Sequence, residues 1–113
     1  MGLDFNHSDA HWGYSGFNNF RRKLAREINL DLDAMEGFGG DFSWDLVKDD
    51  IKDFLNHSDC DGYLTSEQCK IIYPRILELV KNWPNEDYDK QEAIILAEDM
   101  KYCHENNLIL EFI

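Results

Sequence analysis

Apolar residues recur at three- and four-residue intervals in four segments, and this helical periodicity limits the fold more than any other feature. The four stripes are Phe17-Phe20-Leu24-Ile28, Trp44-Val47-Ile51-Phe54, Cys69-Ile72-Ile76-Leu79-Trp83 and Ala93-Leu96-Met100-Cys103. Segments 3–5 and 108–113 instead alternate apolar and polar residues, as strands do. At 113 residues the chain has the size of one domain. We therefore expect a single, mainly α (α+β) domain of about four helices, with a small two-stranded element that pairs the N- and C-terminal segments.

Polar residues beside these stripes predict where the helices begin. Ser15 is the expected N-cap of the first helix and Ser43 that of the second, since a serine side chain accepts hydrogen bonds from unpaired backbone N–H groups. Thr65 followed by Gln68 predicts a capping box at the start of the third helix. The expected bounds of the first and fourth helices are 16–29 and 87–105.

The charge of the chain excludes some kinds of partner. It carries 11 lysines and arginines against 23 aspartates and glutamates, a net charge of −12. Such a surface opposes nucleic-acid binding, which relies on basic side chains, and favours a basic protein partner or a cation. No apolar run is long enough to span a membrane, and the N-terminus lacks a secretory signal. With three cysteines, an odd number, these features predict a cytoplasmic protein with free thiols.

The tetrapeptide Asn-His-Ser-Asp occurs twice, at 6–9 and at 56–59. The second copy continues into Cys60-Asp61-Gly62, which makes 57–62 the main candidate site. Aligned with a calcium-binding loop, Asp59, Asp61 and Gly62 occupy positions three, five and six, but His57 and Gln68 replace the acidic residues of positions one and twelve. We therefore do not expect a true calcium loop.

A divalent transition metal is the alternative for this segment, because imidazole and thiolate are suitable ligands. The candidate metal ligands are His57, Asp59, Cys60 and Asp61. The same residue types, however, form ordinary turns between helices, since Asn, Ser and Asp side chains bond to nearby backbone. Three consecutive residues cannot form a Ser-His-Asp triad, so we predict no catalytic residues.

A basic group on the first predicted helix suggests an anion site, because arginine forks suit phosphate. It consists of Arg21, Arg22, Lys23 and Arg26, with His7 and His11 upstream. An exposed helix face would also account for it. The candidate ligand-binding residues taken together are His7, His11, Arg21, Arg22, Arg26, His57, Asp59 and Asp61.

The chain resembles a family of small phage, prophage and bacterial proteins to which no activity is assigned. The resemblance covers roughly the first 70 residues and rests on four motifs: Met1-Gly2-Leu3-Asp4 followed by His7, Tyr14-Ser15-x-Phe17, Ser43-Trp44-Asp45 and Asn56-His57-Ser58-Asp59-Cys60-Asp61-Gly62. It implies no catalytic residues, and its association with phage favours a binding protein that blunts a host system.

Three functions are therefore expected, in order of preference. The first is a small, acidic, non-enzymatic protein that sequesters or blocks a host protein, including a defence component. The second is a module that binds a metal or a small ligand at 57–62. The third is a metal-dependent hydrolase of a phosphorylated substrate, which needs the basic group of the first helix to face 57–61.

Overall fold

The computed structural model describes residues 2–113, and within that range the chain forms four α-helices and two short strands. The helices are α1 (Tyr14–Glu27), α2 (Lys52–Leu55), α3 (Ser66–Val80) and α4 (Tyr88–Glu105). The strands are β1 (Tyr63–Leu64) and β2 (Leu110–Glu111), and 3₁₀ turns lie at Leu32–Ala34 and Trp44–Leu46. The expected mainly α architecture with a small two-stranded element is confirmed.

The C-terminal segment lies between the N-terminal segment and the loop that precedes α3. Strand β2 pairs with β1 in antiparallel register, and Phe112 forms an antiparallel bridge with Phe5 on the other side. Backbone hydrogen bonds from Asn6 N to Glu111 O (3.2 Å) and from Ile113 N to Asp4 O (2.8 Å) extend that contact. The predicted contact between the termini therefore exists, and the sequence did not reveal that β1 would be the sheet partner of β2.

The third and fourth helices begin where the sequence predicts. Thr65 and Gln68 form both hydrogen bonds of a capping box, which opens α3. The side chain of Asp87 accepts from Lys90 N and caps α4. The two helices pack along each other and bury Ile72, Ile76 and Leu96 between them and the rest of the core.

The predicted caps and length of the first two helices are partly wrong. Gly13, and not Ser15, occupies the N-cap position of α1, and no side chain caps it. The expected continuous helix after Ser43 breaks into a 3₁₀ turn and the short α2. Asp49 explains the break, because its carboxylate accepts from Ile51 N at 3.0 Å and so competes with continuation of the helix.

The core is rich in aromatic rings. Trp12 stacks on Phe20 at 4.7 Å between ring centroids, and Phe17 packs edge-on against Phe54 at 5.7 Å. Phe112 brings the C-terminal segment into the same cluster, at 6.2 Å from Phe17. This cluster joins α1, α2 and the terminal segments, and so fixes the position of the loop at 56–62.

Candidate functional site

The loop at 57–62 has several features of a calcium-binding loop, with a histidine ring against one of its carbonyls. Gly62 has a φ of 85°, β1 follows it directly, and Leu64 is fully buried. The carbonyl of Tyr63, at position seven of the aligned loop, is the kind of backbone oxygen that would bind calcium. Here His57 Nε2 lies 3.1 Å from that oxygen. This carbonyl is therefore already in contact with an imidazole nitrogen of the same loop.

His57 is held on three sides. Its Nδ1 lies 2.9 Å from the carbonyl oxygen of Ser58, and its ring stacks on Phe112 with 3.9 Å between centroids. A Cβ atom added to Gly62 would lie 3.2 Å from the His57 ring, which leaves little room for any other residue at position 62. These contacts give His57 a structural role in joining the loop to the C-terminal segment.

The other predicted metal ligands point to separate partners. Asp59 accepts from Asn18 Nδ2 on α1 at 3.4 Å. The Cys60 thiol is exposed, 3.6 Å from Ser58 Oγ, while Asp61 Oδ atoms accept no hydrogen bond within residues 2–113. Among those residues no three His, Cys, Asp or Glu side chains are arranged to hold a metal ion. The predicted set of His57, Asp59, Cys60 and Asp61 is therefore not assembled as a metal site.

Arg21 joins α1 to the same loop and is only 2 % exposed. Its Nη1 donates to the carbonyls of Leu55 (3.2 Å) and His57, and its Nη2 donates to Asn18 Oδ1. The guanidinium carbon lies 4.6 Å from the ring centre of Phe17. Burial lowers the pKa of Arg21 to about 10, against the opposing effect of the Asp59 carboxylate, so the side chain stays charged at neutral pH.

The contacts of Arg21 give it a helix-capping role. Leu55 is the last residue of α2, whose final carbonyls have no partner inside the helix. Arg21, on a neighbouring helix, donates to one of them, the carbonyl of Leu55, and to the carbonyl of His57 just beyond the helix. Its Nε–H has no acceptor in the described part of the chain and is shielded from solvent, so it is not offered to a ligand.

The basic group predicted from the sequence does not form one surface. Arg22 binds Asp33 at 3.0 Å, and Lys23 binds Asp87 and Asp89 at 3.0 and 2.9 Å. Burial alone would lower the pKa of Lys23, but the hydrogen bonds that Lys23 Nζ donates to the carboxylates of Asp89 and Asp87 outweigh it and raise the pKa. Since consecutive residues on a helix project about 100° apart, Arg21, Arg22 and Lys23 reach three different partners.

The eight predicted ligand-binding residues are accordingly divided among separate places. Arg21, His57 and Asp59 line one shallow depression of about 220 Å³. Arg22 and Arg26 line another, of about 360 Å³. His11 binds Asp4 at 2.8 Å, and His7 is exposed. Asp61 is also exposed and lies outside both depressions.

The first Asn-His-Ser-Asp copy is used for packing. Asn6 Oδ1 accepts from Glu111 N at 2.8 Å, and Asn6 Nδ2 donates to Ile109 O at 3.1 Å. Ser8 Oγ donates to Asp99 Oδ2 on α4 at 2.6 Å. Both copies therefore contact the C-terminal segment, the first through Asn6 and the second through His57.

The sequence did not identify an exposed apolar surface on the 41–47 segment. Phe42 is 46 % exposed and Leu46 is 64 % exposed. Trp44, which lies between them, and Val47, which follows Leu46, are buried. One signal could have found Leu46: it lies off the apolar stripe of the expected second helix, among aspartates. This surface and the loop at 57–62 are the two candidate sites.

Comparison of the chain with protein-family models, curated proteins and solved structures gave no significant match. The resemblance to small phage and prophage proteins thus stays a prediction from the quoted motifs. No helix within residues 2–113 has both the length and the apolar character needed to cross a bilayer.

Proposed function

We propose that this chain is a small, acidic, non-enzymatic binding protein of phage or prophage type that sequesters or blocks a host protein. A host defence component is the kind of target that such a protein would have. The observation that carries the proposal is the exposed negative charge: the chain has a net charge of −12, and many of its carboxylates are exposed without a hydrogen-bond partner in residues 2–113.

Within residues 2–113, five basic side chains have internal partners. Lys23, Arg22 and Arg75 bind carboxylates, and Arg75 does so through two nitrogens to Asp49 at 3.0 and 2.8 Å. Arg21 and Lys90 are buried and donate to neutral oxygens, and Lys90 Nζ lies 2.8 Å from Trp83 O. These contacts reduce the positive charge that a partner would meet.

The acidic residues divide into bonded and unpaired groups. Of the acidic positions on the second and fourth helical segments, Asp49, Asp53, Glu92 and Asp99 all accept internal hydrogen bonds. Exposed carboxylates that accept no side-chain or backbone hydrogen bond within residues 2–113 include Asp41, Asp45, Asp50, Glu98 and Glu105. The second group, and not the first, is available to a basic partner.

Electrostatic attraction of this kind accelerates association and selects for a basic partner, while apolar contacts supply much of the affinity. The separation of the predicted ligand-binding residues favours this function over the hydrolase. That reaction would need Arg21, Arg22 and Arg26 beside the 57–61 loop, and only Arg21 lies there.

The test is capture of a host protein from bacterial lysate on the immobilised chain, with a matched pair of variants. One variant replaces the five carboxylates by the corresponding amides, at Asp41, Asp45, Asp50, Glu98 and Glu105. In the control variant each of these aspartates becomes glutamate and each glutamate becomes aspartate, so that the charge is kept. We expect the wild type and the control to retain one host protein in stoichiometric amount and the neutralised variant to lose it. Retention by a correctly folded neutralised variant would refute the acidic mechanism, and capture of no host protein would refute the function.

A further inference from the structure

Phe42 and Leu46 are exposed on a segment whose backbone is firmly anchored. Phe42 N donates to Ala34 O, and Glu36 N donates to Phe42 O, both at 3.0 Å. Trp44 turns inward and its Nε1 donates to Glu36 O at 2.9 Å. The backbone that carries the two exposed side chains is therefore already ordered, and binding of a partner there would cost little further backbone entropy.

An apolar groove passes on both sides of Phe42. One depression, of about 340 Å³, is lined by Ile28, Leu30, Phe42, Leu46 and Val47, together with Lys48 and Asp49. A second, of about 230 Å³, shares Leu30 and Phe42 and adds Ala34 and Met35. We call these two adjoining depressions the Phe42 groove. Apolar and polar side chains line both recesses, which meet at Leu30 and Phe42 and each have room for an apolar side chain.

Charge selects among the possible occupants of the groove. Asp31 lines one recess. Asp41 and Asp45 lie next to Phe42 and Leu46 in the sequence, and neither carboxylate pairs with a basic side chain within residues 2–113. Lys48 lines the groove, and Arg26 lines the depression that adjoins it at Leu30 and Asp31, so the net charge of the whole chain is what distinguishes the possible occupants. A second copy of this chain would bring another net charge of −12 to the surface, which like-charge repulsion opposes. A basic partner meets complementary charge.

We propose that the Phe42 groove binds a basic, amphipathic helix of the host partner. Two apolar side chains on one face of that helix enter the two recesses beside Phe42, and its lysines or arginines contact the carboxylates around the groove. This inference rests on the proposed function and specifies its contact surface. It differs from a purely electrostatic mechanism because it requires the apolar side chains of Phe42 and Leu46.

A synthetic peptide tests the groove before the host partner has been identified. The probe is a fluorescent leucine–lysine helix of about 18 residues with its leucines on one face, titrated in about 150 mM salt to screen long-range attraction. The test variant carries Phe42→Ser and Leu46→Ser. The control carries Ile71→Ala and Ile95→Ala, which alter exposed apolar residues of α3 and α4, 49 % and 37 % exposed, outside the groove.

We expect the Phe42–Leu46 double variant to raise the Kd at least about tenfold and the control to leave it unchanged. A smaller increase, or an equal increase in the control, would overturn the groove. If the double variant does not fold, ¹⁵N chemical-shift mapping on the wild type decides: shifts concentrated at 28–35 and 42–48 support the groove, and shifts elsewhere overturn it.

The five-residue amide variant separates this inference from the proposed function. If that variant loses the captured host protein while the Phe42–Leu46 variant retains it, the acidic binding function stands and the groove is wrong. If both variants retain it, the proposed acidic mechanism fails as well.

Discussion

Replacing Arg21 tests the capping role that the structure gives it. Arg21→Ala removes the donors to the Leu55 and His57 carbonyls and to the Asn18 side chain. It also removes the guanidinium from its position over the Phe17 ring and leaves a cavity, since the side chain is almost fully buried. We therefore expect Arg21→Ala to be among the most destabilising single changes on α1.

The size of the effect follows from these contacts. A hydrogen bond to a charged donor contributes about 1.5–3 kcal/mol, and a buried acceptor left unpaired costs about 1–3 kcal/mol. The contributions are not additive, and removal of a buried charge returns part of its desolvation cost. We expect a loss of about 3–4 kcal/mol in the free energy of unfolding, a large fraction of the roughly 5–15 kcal/mol typical of a domain.

Arg22→Ala is the matched control, one residue along the same helix. Its ion pair with Asp33 is substantially exposed on both sides, and such pairs contribute about 0–1 kcal/mol. Arg21→Met, which keeps an unbranched stem but no donors, separates packing from hydrogen bonding and should cost about 2 kcal/mol. Urea unfolding followed by tryptophan fluorescence measures all three. Equal losses for the alanine variants at 21 and 22 would refute the capping role.

Three other measurements test separate contacts. Asp49→Asn should lower the free energy of unfolding by about 1–2 kcal/mol near neutral pH. Hydrogen bonding to the Arg75 guanidinium lowers the pKa of Asp49. This contribution to stability is therefore complete above the unfolded pKa of about 3.9 and is lost as pH falls through the lower folded value. If the variant were less stable than the wild type by the same amount in acid, the ion pair would not be the cause. Burial raises the pKa of the Cys69 thiol to about 12 and also raises that of Cys103. In the native protein near neutral pH, a maleimide should therefore label the exposed Cys60 alone, and mass spectrometry counts the labels. Prompt labelling of a second cysteine would show that the core opens. His57→Ala should lower the free energy of unfolding by about 1–2 kcal/mol, because it removes the contacts of the ring with Phe112 and with the Tyr63 carbonyl. The loss should be the same with and without EDTA. A melting temperature of the wild type that falls on addition of EDTA would instead indicate a bound metal.

The sequence predicted α3 and α4 well because their signals are local. A capping box needs only Thr65 and Gln68, and a helical stripe is a property of neighbouring residues. The second helix was mispredicted because the Asp49 carboxylate accepts from Ile51 N and is held there by Arg75, which lies 26 positions away in the chain. A long-range ion pair of this kind has no local signature, and it favours a turn where apolar spacing alone favours a helix.

The candidate sites show the same difference between local signals, which the sequence contains, and long-range contacts, which it does not reveal. Residue types directed attention to 57–62, but they could not show that His57 would stack on Phe112. The basic run on α1 suggested one anion site, and helix geometry sends its members to different partners. Phe42 and Leu46 gave little signal, because isolated apolar residues are common in a sequence and only their exposure on the folded surface distinguishes them.

The sequence by itself determined the helical class, the starts of α3 and α4 and the acidic net charge. These properties follow from local hydrogen bonding, apolar periodicity and composition, all of which can be found along the chain. Only the tertiary structure decided that the repeated Asn-His-Ser-Asp segments serve packing against the C-terminal segment, and which carboxylates stay unpaired. Those outcomes depend on which distant side chains meet, and such pairings are fixed by packing of the whole core.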